Sequence, residues 1–263
     1  MMDFLTPELL LLIPLAFTAG LIDSAVGGGG LIQVPGLFSI LPQQPAATLL
    51  GTNKISSMFG TAIASRQYAK RVSLRWQMLF WAAGVALVCS YIGASFVKLL
   101  PIHLLRPIML VLLIVMVAYT ILKKDLGQSH NPIYHNEKIR AIALGAGMGF
   151  YDGFFGPGLG SLLAFAFVRF FGYDFLNATA HSKIVNLATN VGALALFIPH
   201  GDILWATGLM MGASNMLGAF AGTSVVTKYG APFIRKVFII ILSATIVKFS
   251  YDTFKILHAS GAI

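Results

Sequence analysis

Displacing the chain by 129 residues lays it on itself: Gly20 falls on Gly149, Asp23 on Asp152, Gly27 on Gly156, Gly29 on Gly158, Lys54 on Lys183, Trp76 on Trp205, Gly93 on Gly222, Ser95 on Ser224 and Arg106 on Arg235. No gap is needed. Chance supplies Leu, Ala and Gly matches in an apolar sequence, but coincident Asp, Lys, Trp and Arg at one offset mark a duplication. The fold must therefore be built twice from one plan. Whatever residues 20–54 do in one half, residues 149–183 must do in the other.

Composition decides the solvent. Hydrophobic residues make up 57% of the chain and charged ones 10%, with a mean hydropathy of +0.82, whereas a soluble domain carries about 25% charged residues. The chain reads as a polytopic membrane protein. Its net charge of +9 does not point to nucleic acid, because Lys and Arg fall mainly between apolar runs and form no amphipathic or aromatic-interleaved patch. A single cysteine, Cys89, excludes an intrachain disulfide. The N-terminus carries Asp3 and Glu8 but no Lys or Arg before its apolar run, so that run is expected to be a retained first span and not a signal peptide.

Ten apolar runs follow, at residues 9–22, 31–41, 46–65, 78–97, 108–122, 139–155, 159–171, 176–198, 203–226 and 237–254. Several approach the roughly 20 residues of a spanning helix. The second and seventh have only eleven and thirteen, with Pro35 inside one and Pro157 just before the other, and are expected to be short, tilted or broken helices. The one strongly polar stretch, KKDLGQSHNPIYHNEK, contains an Asn-Pro turn signal. The expected organisation is a first membrane repeat over 1–122, a polar cytoplasmic linker over 123–138 and a second membrane repeat over 139–263.

Five runs per half is an odd number, so successive copies should enter the bilayer from opposite sides as an inverted repeat. The distribution of charge agrees. With the N-terminus outside and all ten runs spanning, twelve of the 18 Lys and Arg residues fall in cytoplasmic segments, against three (Lys98, Arg106 and Lys255) outside. The expected fold is all-α, with about ten hydrophobic segments in two inverted five-segment repeats. Treating the first two runs as a non-crossing hairpin, which leaves three spans per half, stays open.

The chemistry sits at the repeated break. Lys54 and Lys183 each lie well inside an apolar run, where a central cation costs on the order of 2.5–3.5 kcal/mol on insertion scales. Lys54, Ser57 and Thr61 share the spacing i, i+3, i+7 with Lys183, Asn186 and Asn190, so each helix should present one polar face bearing a cation. Two readings compete: each lysine locks the fold by pairing with Asp23 or Asp152, or both serve an intramembrane ligand site. The glycines at 27–30 and 156–158 let the backbone leave helical geometry, which a bilayer tolerates only where the chain is buried or lines a cavity. Helices restarting there would point N-H groups and a positive dipole end into that cavity and make an anion site. Close helix packing is the alternative use of the same glycines.

Other residues are less decisive. His181, which faces Thr52 in the first copy, is either a proton carrier or a hydrogen-bonded packing residue. Asp23 and Asp152 are either proton carriers or helix caps. Gln33 is a candidate ligand contact. Trp76 and Trp205 stand where interfacial anchors belong, and His130 and His135 lack metal-ligand spacing.

The segments GLIDSAVGGGGLIQVP and ATLLGTNKISS, with GFYDGFFGPGLGS and NATAHSKIVNLATN in the second half, resemble the sulfite exporter TauE/SafE family, also called the 4-toluene sulfonate uptake permease family. The resemblance extends over nearly the whole chain and implies a transporter of small, often sulfur-containing anions, driven by a proton gradient. Carried over position by position, the motifs fall on Asp23, Gly27, Gly28, Gly29, Gly30, Thr52, Asn53 and Lys54. In the second copy they fall on Asp152, Gly156, Pro157, Gly158, His181, Ser182, Lys183 and Asn186. Family members divide among several substrates, so the substrate does not transfer.

The expectation is thus an inner-membrane permease of alternating-access type with a midplane anion site. Its substrate-binding residues would be Gly27, Gly28, Gly29, Gly30, Thr52, Asn53, Lys54, Ser57, Gly156, Gly158, His181, Ser182, Lys183 and Asn186. Asp23, Asp152 and His181 would couple protons or form ion pairs. The expected partners are a small anion and the lipid bilayer, with no nucleic acid and with a homodimer left open. No cofactor or metal is called for. A passive anion channel would use the same residues. A membrane enzyme would need a nucleophile-and-base pair or a metal cluster, and a scaffold an extended soluble surface, none of which the sequence offers.

Overall fold

The computed structural model describes residues 7–97, 107–111, 113–115, 118, 131–229 and 231–259, and every element among them is helical. The first half contributes α1 (Pro7–Val26), α2 (Gly30–Ile40), α3 (Ala46–Ala69), α4 (Trp76–Val97) and α5, helical at 107–111, 113–115 and 118. The second contributes α6 (Glu137–Phe154), α7 (Leu159–Phe171), α8 (Phe175–Phe197), α9 (Trp205–Tyr229) and α10 (Ala231–Ala259). The chain is an all-α polytopic membrane protein. Lys98, Arg106, His130 and the first eight residues of the linker lie outside the described residues.

Local chemistry explains the ends. α1 stops where Gly27 turns left-handed at φ +78, its N-H returning to the Asp23 carbonyl at 2.9 Å. α6 stops before Gly156, also left-handed at φ +91 but with its N-H returning to the Tyr151 carbonyl at 3.2 Å, and Gly158 at φ +82 restarts the chain as α7. Asp174 begins α8 by accepting the Asn177 N-H on its side chain at 2.8 Å. α1 and α3 each run four residues past their apolar runs, to Val26 and Ala69, and the largest departure is the polar segment 227–236, expected to be a cytoplasmic loop. Instead α9 runs to Tyr229 and α10 resumes at Ala231. Lysine and arginine are good helix formers, and Pro232 falls in the first turn of α10, where its missing N-H needs no partner.

The two halves are interleaved. α1 packs along α9 and α6 along α4, so the first helix of each half lies on the fourth of the other. Glycines make these crossings close: an added Cβ at Gly222 would lie 2.2 Å from the Leu21 carbonyl oxygen, and one at Gly93 would lie 2.2 Å from that of Phe150. Gly222 and Gly93, like Phe150 and Leu21, are repeat equivalents. At the centre α3 packs on α8. Tyr68, near the end of α3, meets Ala180 near the start of α8, and Gly51, near the start of α3, meets Phe197 at the end of α8. The two equivalent helices therefore run antiparallel.

α4 and α9 carry apolar windows long enough to cross a bilayer at Trp76–Val97 and Trp205–Val226, again equivalent positions. Both present large apolar side chains outward, among them Phe80, Val88, Leu217 and Phe220. Trp76 and Trp205 are exposed at the helix starts. An outward apolar surface of this extent is what a lipid environment accepts.

Candidate functional site

The two glycine breaks meet back to back. A Cβ on Gly27 would lie 2.3 Å from the carbonyl carbon of Gly160, and one on Gly160 would lie 2.6 Å from the Gly27 Cα. At both positions only a hydrogen fits. Ser161, in the first turn of α7, fastens the crossing: its N-H donates to Gly27 O at 3.1 Å and its hydroxyl to Val26 O at 2.6 Å. Two carbonyls freed by the end of α1 are thus taken by the start of α7, as a break inside a membrane requires. The second break is held from below, where the Tyr151 hydroxyl donates to Pro157 O at 2.6 Å.

Beside this crossing the lysines meet the aspartates, and they do so across the repeat. Lys54 Nζ lies 2.6 Å from Asp152 Oδ2, and Lys183 Nζ lies 2.7 Å from Asp23 Oδ2. Lys183 also donates to the Asp23 backbone carbonyl. Each cation therefore sits at the C-terminal end of the other half's first helix, where the macrodipole favours positive charge. Three of the four side chains are at most 4% exposed, and Asp23 is 18% exposed. Burial this deep is tolerable because each charge has a close partner.

A polar cavity of about 20 Å³, room for roughly one water molecule, opens against these groups. Its walls include Asn53, Lys54, Ser57 and Thr61 of α3, Asn186 and Asn190 of α8, and both aspartates. Gly27, Gly30, Gly156, Gly158 and Gly160 supply the backbone. The i, i+3, i+7 faces of α3 and α8 thus converge on one space, together with the starts of α2 and α7. The site is not symmetric, since Lys183 is fully buried and stands behind the wall. Asn53 Oδ1 is buried there with no hydrogen-bond partner.

Other residues singled out in the sequence lie elsewhere. Thr52 accepts the Leu204 N-H on its hydroxyl at 3.0 Å and donates to Thr48 O. His181, its repeat equivalent, accepts the Arg75 N-H on Nε2 at 3.2 Å, while Nδ1 faces Asn177 O at 2.7 Å. Arg75 and Leu204 are themselves equivalents. These partners select the Nδ1-H tautomer and leave both ring nitrogens engaged with backbone. Position 52/181 thus fixes the loop before the fourth helix of each half. Ser182 bonds back to Thr179 O at 2.8 Å. Gly29 packs on Ala19 and Asp23, and Gly28 is absent from the cavity wall. Gln33 accepts from Asn215 Nδ2 at 2.8 Å. Gly160 is the contributor the repeat could not reveal, because its equivalent is Leu31. A glycine present in one copy alone, next to the break, is the signal that marks it.

Among the described residues no cluster of His, Cys, Asp or Glu could hold a metal ion. What the arrangement can do is hold paired charge in the interior, present the Lys54 ammonium to a small space, and line that space with amides and hydroxyls.

A family model described as sulfite exporter TauE/SafE matches residues 12–249. The chain is 37% identical to the probable membrane transporter protein ORF9 of Sinorhizobium sp, with 90% of each chain covered. It is 37% identical to the probable membrane transporter protein YfcA of Escherichia coli, over 94% of this chain and 91% of the relative. A probable membrane transporter protein of Haemophilus influenzae is 34% identical, with 95% and 98% covered. No solved structure gives a significant match.

Proposed function

The chain belongs to the sulfite exporter TauE/SafE family and is a membrane transporter, and from that premise we propose that it is a secondary permease for a small anion, a sulfur-containing oxyanion or sulfonate such as sulfite. The observation that carries this reading is the crossed pair of buried ion pairs, Lys54 with Asp152 and Lys183 with Asp23, beside a cavity lined by helix starts.

Electroneutrality supplies the coupling. Two ammonium groups and two carboxylates sum to zero, so an anion entering alone would leave an uncompensated negative charge in a low-dielectric space. An anion that takes Asp152's place on Lys54 releases a carboxylate, and a proton on that carboxylate restores neutrality. Anion and proton therefore enter together. His181, held by two backbone groups, is not needed for this step.

Alternating access follows from the same arrangement. Each ion pair ties one half of the chain to the other, so exchanging a carboxylate for a substrate loosens the tie between halves. The antiparallel packing of α3 on α8 supports an inverted repeat. The excess of basic residues in the segments assigned inside supports an N-terminus outside the cytoplasmic membrane.

The test is uptake into proteoliposomes under an imposed pH gradient, with sulfite, sulfate, thiosulfate, a sulfonate and a carboxylate as competing anions. Uptake of a sulfur anion that rises with the gradient and is accompanied by proton movement is expected. Flux indifferent to the gradient, at conductance above transporter turnover, would assign a passive channel instead.

A further inference from the structure

The cavity wall formed by α3 does not end at the cavity. Lys54, Ser57 and Thr61 are followed by Ser65 and Tyr68, and at 3.6 residues per turn these five positions share a stripe about 80° wide. Serine and threonine inside a helix commonly return their hydroxyl to a carbonyl three or four residues back, and Thr52, Thr179, Ser182 and Thr189 do so. Thr61 Oγ1 and Ser65 Oγ do not: both are buried, at 1% and 5% exposure, with no hydrogen-bond partner. In a membrane interior an orphan hydroxyl is costly, and ordered water is the ordinary remedy.

The repeat provides an internal control. The positions equivalent to Ser65 and Tyr68 are Leu194 and Phe197, both buried in the main apolar core. One copy continues its polar face beyond the cavity and the other closes it with hydrocarbon. At the far end of the polar stripe the Tyr68 hydroxyl donates to Ser24 O at 2.8 Å, next to Asp23, and the ring packs on Ala64 and Ala180.

We propose that Thr61 and Ser65 line a file of water that runs from the Lys54–Asp152 pair towards the C-terminal end of α3, closed at that end by the Tyr68–Ser24 hydrogen bond, while Leu194 and Phe197 keep the equivalent route dry. When that hydrogen bond opens, the file gives the Asp152 carboxylate contact with solution, on one side only. It rests on the transport reading only for the role of its inner end.

The experiment measures water and not transport. In a Cys89→Ser background, Ser65→Cys, Ser182→Cys and Leu194→Cys are reconstituted, treated with methyl methanethiosulfonate and then denatured, and the remaining thiols are counted with a fluorescent maleimide. The cysteine thiolate attacks the reagent's sulfenyl sulfur, forming a methyl disulfide and expelling methanesulfinate, and thiolate forms only where water reaches the sulfur, so Ser65→Cys should react at least about tenfold faster than the other two. Tyr68→Phe in the Ser65→Cys protein should raise the rate further. Equal rates at the three positions would overturn the water file, and an unchanged rate in the Tyr68→Phe protein would overturn its closure by Tyr68. Because no anion is present, either result leaves the substrate site to be judged by uptake alone.

Discussion

Lys54 pairs with Asp152, 98 residues further along the chain and in the other copy of the repeat, and not with Asp23 of its own copy. The exchange is reciprocal, since Lys183 pairs with Asp23. The charges that matter most to the interior thus belong to neither half separately.

Removing one partner should damage stability and removing both should not. Lys54→Gln leaves a buried carboxylate unpaired, a loss of about 3–5 kcal/mol, whereas Lys54→Gln with Asp152→Asn removes both charges and should recover most of it. Neither variant should transport. Melting in detergent together with proteoliposome uptake separates the two effects, and transport by the neutral double variant would remove Lys54 from the site.

The crossing also predicts which double variants couple. Lys54 and Asp152 should show an interaction energy within the range of about 0.5–3 kcal/mol seen for contacting residues, and Lys54 with Asp23 a smaller one. A thermodynamic cycle read by thermal or denaturant melting checks this. A larger coupling for Lys54 with Asp23 would mean that each half pairs with itself.

Glycines at the break should be intolerant where the backbones touch. Gly27→Ala drives a Cβ to within 2.3 Å of Gly160 at a left-handed φ, so it should prevent assembly or cost several kcal/mol. Gly84 and Gly147, in helices with nothing within 4 Å of an added Cβ, should accept alanine with a gain of up to about 1 kcal/mol from helix propensity. Expression level and melting temperature of the three variants make the comparison.

Tyr173, in the connection between α7 and α8, has its phenol pushed up from 10.0 to about 12, first by burial and then by the Glu137 carboxylate. The folded form therefore holds this proton more tightly than the unfolded one. The contribution is complete below the ordinary value and is lost as pH rises from 10.0 to about 12. Melting temperature should fall less steeply over that window in Tyr173→Phe than in the unaltered protein, and superimposable slopes would contradict the shift.

An inverted repeat places the loop after α3 and the loop after α8 on opposite faces. Arg71→Cys and His200→Cys, equivalent positions in those loops, should each be labelled by an impermeant thiol reagent, but from opposite sides of oriented vesicles. Labelling of both from one side would rule the inversion out.

Much of this architecture was legible in the sequence because a bilayer narrows the choices. The 129-residue offset disclosed the two halves, and the glycines next to Asp23 and Asp152 disclosed the breaks. The i, i+3, i+7 spacing placed Ser57, Thr61, Asn186 and Asn190 on the faces that line the cavity. Equivalence, however, does not say which copy a side chain reaches for, so the exchange of partners was invisible. The role of position 52/181 was hidden for a related reason. Thr52 and His181 differ chemically, yet both accept one backbone N-H from a loop more than 100 residues away.

The exchanged pairing also has a history in time. A ribosome delivers Asp23 and Lys54 to the membrane well before Asp152 and Lys183 exist, so the first half must wait in the bilayer with its charges held by water, lipid headgroups or the insertion machinery. Lys54 finds its final partner only when α6 arrives and Asp23 only when α8 does, and α1 gains its packing against α9 later still. Halves made as separate polypeptides should be degraded singly and rescue each other only when synthesised together.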